Sequence, residues 1–70
     1  MTEQQKQIVD YVAEFGSITP FQAFADLGIT KLSTRIGELT KQGYTFNKTW
    51  ETNKNRFGKT VRYMRYSYDN

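Results

Sequence analysis

The chain has 70 residues and a formal net charge of +3, and it contains neither cysteine nor histidine. This length supports one domain, residues 1–70, with a small core. The lack of cysteine and histidine excludes a disulfide framework, a zinc finger and any catalysis by a cysteine or histidine side chain. No apolar run approaches the length of a membrane span, and the first residues lack the layout of a signal peptide. The sequence therefore predicts a cytoplasmic protein without a membrane anchor.

Charge is divided unevenly along the sequence. Residues 1–29 carry one cation against four carboxylates, a net charge of −3, whereas residues 30–70 carry nine cations against three carboxylates, a net charge of +6. The basic part is the expected nucleic-acid surface, and the acidic part is expected to face elsewhere. The alternative interpretation is that solvated faces of opposite charge segregate by chance.

The first predicted helix covers residues 3–15. Thr2 and Gln5 have the spacing of a capping box, in which each side chain bonds the other residue's backbone N–H. Gly16 is expected to end the helix. The expected buried stripe comprises Ile8, Val12 and Phe15.

A second, shorter helix is predicted for residues 20–27. Thr19 and Gln22 form another capping box, and Pro20 occupies the first helical position, where its missing N–H costs nothing. Gly28 supplies the left-handed residue that ends the helix. The residues expected in the core are Phe21, Phe24, Ala25 and Leu27.

The third predicted helix covers residues 31–42, with Thr30 as its N-cap and Gly43 as its stop. Its expected core residues are Leu32, Ile36 and Leu39, which share one narrow arc at 100° per residue. A capped helix, a glycine turn and a second capped helix are typical of a helix-turn-helix. The second helix of such a unit usually enters the major groove of DNA.

After Gly43 the apolar period changes from helical to two. One parity holds Tyr44, Phe46, Lys48 and Trp50, and residues 60–68 form a second strand rich in aromatic and β-branched side chains. The connecting loop, residues 52–59, contains turn-forming residues and cations. We expect Phe46 and Trp50 in the core, and Tyr68, Asp69 and Asn70 in a frayed end. For Phe57 we favour an anchor folded back onto the core, and the alternative is an intercalating wedge. The predicted fold class is α+β, a winged helix-turn-helix of three helices followed by a two-stranded antiparallel hairpin.

Two blocks of this sequence carry a family resemblance: GSITPFQAFADLGITKLSTRIGELTKQGY, and NRFGKTVRYMRY further on. Together they resemble a small group of phage and prophage winged helix-turn-helix proteins, known chiefly as predicted DNA-binding domains. The likeness runs from Gly16 to Arg65. It implies a protein that acts on DNA inside a bacterial host cell and leaves the biological role open.

The candidate DNA-binding residues lie on the third helix and on the loop of the hairpin. Arg35 has the side chain best suited to guanine, while threonine, serine and lysine suit phosphates. Glu38 either accepts a hydrogen bond from cytosine or, as we favour, pairs with Lys41 or Arg35. On the loop, cations suit the DNA backbone or the minor groove. The predicted set is Thr30, Lys31, Ser33, Thr34, Arg35, Glu38, Lys41, Asn53, Lys54, Asn55, Arg56 and Lys59.

The leading hypothesis is a double-stranded DNA-binding protein, either a transcriptional regulator or a recombination accessory factor. It requires the cations of the third helix and of the hairpin loop to converge on one flank. The alternative is an interaction module that binds or inhibits a host or phage protein. No catalytic, metal-binding or cofactor-binding arrangement is recognisable, so we expect neither an enzyme nor a cofactor. The sequence leaves the target site and the oligomeric state undetermined.

Overall fold

The computed structural model describes residues 1–68, so the predicted fraying of Asp69 and Asn70 lies outside the described residues. Three helices and three strands follow one another along the chain. They are α1 (Glu3–Phe15), β1 (Ser17–Ile18), α2 (Pro20–Leu27), α3 (Leu32–Lys41), β2 (Phe46–Lys54) and β3 (Thr60–Tyr68). The predicted architecture of three helices followed by an antiparallel hairpin is confirmed. No helix in the described part of the chain has the length and apolar character needed to cross a bilayer.

The first two helices begin with the predicted capping boxes. Thr2 and Thr19 each accept a hydrogen bond from the backbone N–H three residues later, at 3.2 Å. In return, the side-chain oxygens of Gln5 and Gln22 accept from the N–H groups of those threonines, at 3.0 and 3.1 Å. Two otherwise unpaired donors are satisfied at each helix start, which fixes where both helices begin.

The start of α3 differs from the prediction. Lys31, not Thr30, is the N-cap residue, and no side chain caps this helix. The reason is the position of Ile29, which is fully buried and holds the connection after Gly28 against the core. The chain therefore turns into the helix one residue later, and the first helical bond runs from the Arg35 N–H to the Lys31 carbonyl at 3.2 Å.

The hairpin is part of a three-stranded antiparallel sheet in the order β1-β3-β2. β2 and β3 pair along their whole length, from Phe46 opposite Tyr68 to Lys54 opposite Thr60. The short strand β1, which the sequence did not reveal, pairs with the end of β3 and places Ile18 opposite Tyr66. It fastens the loop between α1 and α2 to the base of the hairpin.

The core is mostly aliphatic and lies between the three helices and the base of the sheet. It comprises Ile8, Val12, Ile18, Ala23, Ile29, Leu32, Ile36, Leu39, Phe46 and Tyr66. The predicted burial of Phe15, Phe21, Phe24 and Ala25 is wrong, because all four are exposed. The buried residue of α2 is Ala23, so Phe21, Phe24 and Ala25 lie on the other sides of this short helix, and Phe15 is the last residue of α1.

Aromatic side chains of the hairpin divide between its base and its outer part. At the base Phe46 is buried and Tyr68 stacks on it at 5.4 Å between ring centroids, so the predicted fraying of Tyr68 is wrong. The Tyr68 hydroxyl also donates to the Val9 carbonyl at 3.1 Å. Farther out, Trp50 is 56% exposed and Phe57 is 82% exposed, contrary to the core positions expected for both. The hairpin residues that join the core or pack against it all lie in its lower half, so the outer half contributes nothing to the core.

Candidate nucleic-acid interface

The face of α3 that points away from the core is open and carries small polar and cationic side chains. Leu32, Ile36 and Leu39 fix the buried side of the helix. Ser33, Thr34, Gly37, Thr40 and Lys41 are all exposed. A Cβ atom at Gly37 would meet no heavy atom within 4 Å, so no packing inside the protein requires glycine there.

Arg35 and Glu38 belong to a polar cluster between α3 and the start of α1. The Arg35 Nη1 atom lies 3.2 Å from the Glu38 Oε1 atom, which confirms the predicted pairing. The same carboxylate accepts from Gln5 Nε2 at 2.8 Å, and Gln42 Nε2 donates to Gln5 Oε1 at 3.0 Å. Arg35 is only 25% exposed, and its Nε atom is buried without an acceptor among the described residues. This arginine therefore lies at the α1 side of α3, away from the centre of the open face.

The tip of the hairpin is an ordered turn. The Gly58 N–H donates to the Asn55 carbonyl at 3.0 Å, and the Asn55 N–H donates to the Lys59 carbonyl at 2.9 Å. The Asn55 Oδ1 atom accepts from the N–H groups of Phe57 at 2.9 Å and Lys59 at 3.1 Å. Gly58 has φ +77°, in the left-handed region that a glycine after a hairpin turn supplies. Asn55 thus shapes the turn, so its oxygen is already engaged within the protein.

The cations of the hairpin tip have no acidic partners within residues 1–68. The described residues form two ion pairs, Arg35 with Glu38 and Arg65 with Glu51. Lys54, Arg56 and Lys59 are exposed and take part in neither. Uncompensated cations close together raise the local potential and attract polyanions.

Arg62 and Arg65 lie on opposite faces of β3, as their odd spacing predicts. The guanidinium of Arg62 stacks over the Trp50 ring, with its carbon 4.2 Å from the ring centroid. Arg65 donates from Nε to Glu51 Oε2 at 2.8 Å and from Nη1 to Ser17 Oγ at 2.7 Å. The bond from Arg65 holds the pKa of the Glu51 carboxyl below its ordinary value.

Sequence inspection missed the link from Arg65 to Glu51 and Ser17. Glu51 stands opposite Tyr63, one diagonal step from Arg65 across the hairpin, which brings long side chains into reach. This diagonal pairing becomes visible once the strand register is known. Because Arg65 also bonds Ser17, it joins all three strands and serves the structure of the sheet.

The acidic part of the chain forms a separate surface along α1 and α2. The Tyr11 hydroxyl donates to the Asp26 carboxylate at 2.6 Å, and this bond raises the pKa of Tyr11. Asp10 and Glu14 line the same shallow groove of about 380 Å³. The exposed ring of Phe15 packs against Tyr11 in a tilted arrangement, with 4.6 Å between the ring centroids. The negative charge predicted for residues 1–29 therefore gathers where α1 meets α2.

Comparison with protein families matches a model described as a winged helix-turn-helix domain to residues 3–69. The chain belongs to the winged helix-turn-helix domain family. In this frame α2 and α3 form the helix-turn-helix, and the β2–β3 hairpin is the wing. A winged helix-turn-helix domain is typically a non-enzymatic fold that suggests DNA binding. Comparisons with curated proteins and with solved structures gave no significant match.

The predicted binding residues fall into two groups within this domain. The α3 group is Thr30, Lys31, Ser33, Thr34, Arg35, Glu38 and Lys41, and the wing group is Asn53, Lys54, Asn55, Arg56 and Lys59. All of them are exposed except Arg35 and Glu38, which are half-buried in the cluster with Gln5. Within residues 1–68, no group of three or more potential metal-ligating side chains is placed to hold an ion.

Proposed function

We propose that this winged helix-turn-helix protein binds double-stranded DNA, with the open face of α3 in the major groove. The observation that carries the proposal is the pairing of the family match with the uncompensated cations of the wing. A helix-turn-helix presents the residues of its second helix to the edges of base pairs. Thr34 and Lys41 lie on the exposed face of α3 that would meet them.

The wing supplies the second contact in this proposal. Lys54, Arg56 and Lys59 lie on the flanking backbone or in the adjacent minor groove, where cations position a protein without reading sequence. For both groups of residues to contact the same duplex, the α3 and wing cations must share one flank of the molecule, and the proposal depends on this. Arg35 contributes from the rim through the part of its guanidinium that Glu38 leaves free.

The biological role in this proposal is that of a phage-derived transcriptional regulator or recombination accessory factor acting in the host cytoplasm. Its support is the sequence resemblance from Gly16 to Arg65. One small domain reads only a few base pairs, so a unique genomic site requires a second copy or cooperative neighbours.

A mobility-shift titration tests duplex binding directly. We expect association with duplexes of about 30 base pairs at low salt, and weakening on the order of 10³-fold or more between 50 and 200 mM salt if six or more phosphates are contacted. Absence of binding at low salt would overturn the proposal. Selection from a random DNA pool then identifies the site, and an enriched palindrome would report a dimer.

A second candidate function is binding of a host or phage protein. The observation that favours it is the acidic groove of α1 and α2, in which the exposed Phe15 lies beside Tyr11. A pull-down supports this alternative when it yields one stoichiometric protein and is unaffected by nuclease. Loss of that partner after nuclease treatment would indicate that DNA links it to this protein, which favours the DNA-binding proposal.

A further inference from the structure

We propose that Phe57 is an apolar wedge that enters the minor groove at a flexible base step when the wing contacts DNA. The inference rests on the duplex binding proposed above and adds a definite mode of contact to it. Its starting point is the exposure of Phe57, at 82% the highest among the large apolar side chains that are exposed. Minor-groove proteins use phenylalanine among other apolar residues to separate stacked bases and kink the duplex.

The position of Phe57 matches this role because the ring stands at the outermost turn of the wing. β2 and β3 pair without interruption from the sheet base to Lys54 opposite Thr60, which gives the turn a rigid support. The base of the hairpin is held over the core by Phe46 and Tyr66. The ring therefore stands at the end of the ribbon that is farthest along the strands from the core.

The turn itself is held in one conformation by its own hydrogen bonds. The Phe57 N–H donates to Asn55 Oδ1, and the Gly58 N–H donates to the Asn55 carbonyl. The left-handed conformation of Gly58 completes the reversal of the chain. Because the backbone is already ordered, insertion of the ring does not require the loop to be ordered first.

The charges around the ring select DNA as its target. Arg56 precedes Phe57, Lys59 follows it by two residues, and Lys54 lies at the end of β2. Within residues 1–68 none of these cations is paired with a carboxylate. An apolar tip surrounded by cations suits a groove bordered by phosphates, whereas it would be repelled by a basic protein surface.

Two duplexes of equal composition distinguish a wedge from purely cationic contact. Pyrimidine–purine steps such as TA are easily unstacked, whereas A-tracts are stiff and have a narrow minor groove that attracts cations. A wedge therefore favours a duplex of alternating TA steps, and a wing that acts only through charge favours the A-tract. Both probes present the same acceptors in the minor groove.

The experiment measures affinity for the two duplexes together with bending, from energy transfer between dyes at the duplex ends. We expect wild type to prefer and bend the alternating duplex, and Phe57→Ala to lose both the preference and the bend with about ten-fold weaker binding. Phe57→Leu keeps an apolar wedge and should retain most of the bend. The matched control is Phe15→Ala, because Phe15 is an exposed ring at 63% but lies at the acidic groove of α1 and α2. It should leave the preference and the bend unchanged.

The outcomes separate the wedge from duplex binding itself. If wild type binds neither duplex at low salt, the proposed function fails and the wedge fails with it. If wild type binds both but Phe57→Ala matches it in affinity, preference and bend, the wedge alone is overturned. If Phe57→Ala loses affinity only for single-stranded oligonucleotides, the wedge is also overturned, since the ring would then stack on unpaired bases. Circular dichroism of each variant checks that the fold is intact.

Discussion

The cationic side chains of the wing, the sheet and α3 differ in whether they are paired within the protein, although the sequence presents them as one basic set. Lys54 and Lys41 are exposed and lie outside the two ion pairs of residues 1–68, so they can meet phosphates directly. Arg35 is engaged with Glu38, and Arg65 with Glu51 and Ser17. The useful distinction among the cations is therefore whether a carboxylate already holds them.

Removal of an unpaired cation should reduce the salt dependence of DNA binding in proportion to the number of phosphate contacts that are lost. We expect Lys54→Ala to weaken binding to all sequences alike and to reduce the slope of log K against log salt by about 0.9, because one phosphate contact is lost. Lys41→Ala together with Lys54→Ala should reduce it by about 1.8 if both residues touch the same duplex. Lys6→Ala, on α1, is the control and should leave the slope unchanged. A slope in the double variant that falls by only about 0.9, as for Lys54→Ala alone, would contradict the shared flank.

The bond between Arg65 and Glu51 should make stability depend on acid pH. The pKa of Glu51 is lowered in the folded protein, so the bond stabilises above the ordinary glutamate pKa of about 4.3 and is lost as pH falls through the folded value. We expect Glu51→Gln to lose stability at neutral pH and to show a shallower further decline in acid than wild type. Urea midpoints between about pH 3 and pH 7 measure this difference.

Glu14 provides the control for this prediction. It is an exposed carboxylate on α1 that takes part in neither ion pair of the described residues. Glu14→Gln should therefore retain the acid-dependent decline of wild type. If Glu51→Gln declines as steeply as Glu14→Gln, the bond to Arg65 contributes nothing to the pH dependence.

At the scale of elements, α3 carries a glycine where helix stability alone would favour alanine. Gly37 lies on the open face, and a Cβ atom there has free space inside the protein. Glycine costs a helix interior about 1 kcal/mol relative to alanine. Its presence is explained if the DNA backbone or a base edge comes close to the helix at this point.

Gly37→Ala should therefore raise stability and weaken DNA binding together. We expect an increase of about 1 kcal/mol in the free energy of unfolding, or about 4–8 °C in Tm for a domain of this size. Thermal melts followed by circular dichroism and mobility-shift titrations measure the two effects. Ala13→Gly, at an exposed position of α1, should lower stability by a similar amount and leave binding unchanged. A stabilised Gly37→Ala variant with full affinity would remove the close-approach explanation.

The sequence predicts the helices well because their boundaries depend on local chemistry. Capping boxes at Thr2 and Thr19 and left-handed glycines at Gly16 and Gly28 act within a few residues, and the structure confirms all four. Thr30 was misassigned because the start of α3 depends on the burial of Ile29, which is a tertiary effect. Strand β1 was missed for the same reason, since it pairs with the distant end of β3, where Ser67 and Tyr66 stand opposite Ser17 and Ile18.

Aromatic residues were the least predictable part of the candidate site. Hydrophobicity alone places Trp50 and Phe57 in the core, yet burial depends on how far the helices extend beneath the hairpin. That reach follows from three-dimensional geometry and has no local sequence signal. The cations of the tip were recognised as a group. The bond from Gln5 to Glu38, which ties the Arg35–Glu38 pair to α1, emerged only from the packing of α1 on α3.

At the scale of the whole molecule, the core and the outer wing are separate regions. The domain measures 39 × 24 × 21 Å, and its core cluster is confined to the helices and the base of the sheet. The outer wing, with Trp50 and Phe57 exposed, contributes little buried apolar area. Substitutions there can alter DNA contacts without a large loss of folding free energy.

Two aromatic substitutions on the same strand test this separation. Phe46 is buried at the base and contacts Tyr68, whereas Trp50 lies four residues farther along β2 under the guanidinium of Arg62. Truncation of a buried phenylalanine to alanine costs about 3–5 kcal/mol. A domain of this length has about 3.5–10 kcal/mol in total, at 0.05–0.15 kcal/mol per residue.

We therefore expect Phe46→Ala to be largely unfolded or to melt far below wild type, while Trp50→Ala loses less than about 1.5 kcal/mol, mainly its contact with Arg62. Circular dichroism at the helix band is the measurement, since it reports the helices independently of the wing. Phe46→Leu should recover most of the loss, which would show that apolar volume at the base is what matters. Equal destabilisation by Phe46→Ala and Trp50→Ala would mean that the outer wing belongs to the cooperative core. The separation of the core from the outer wing would then be wrong.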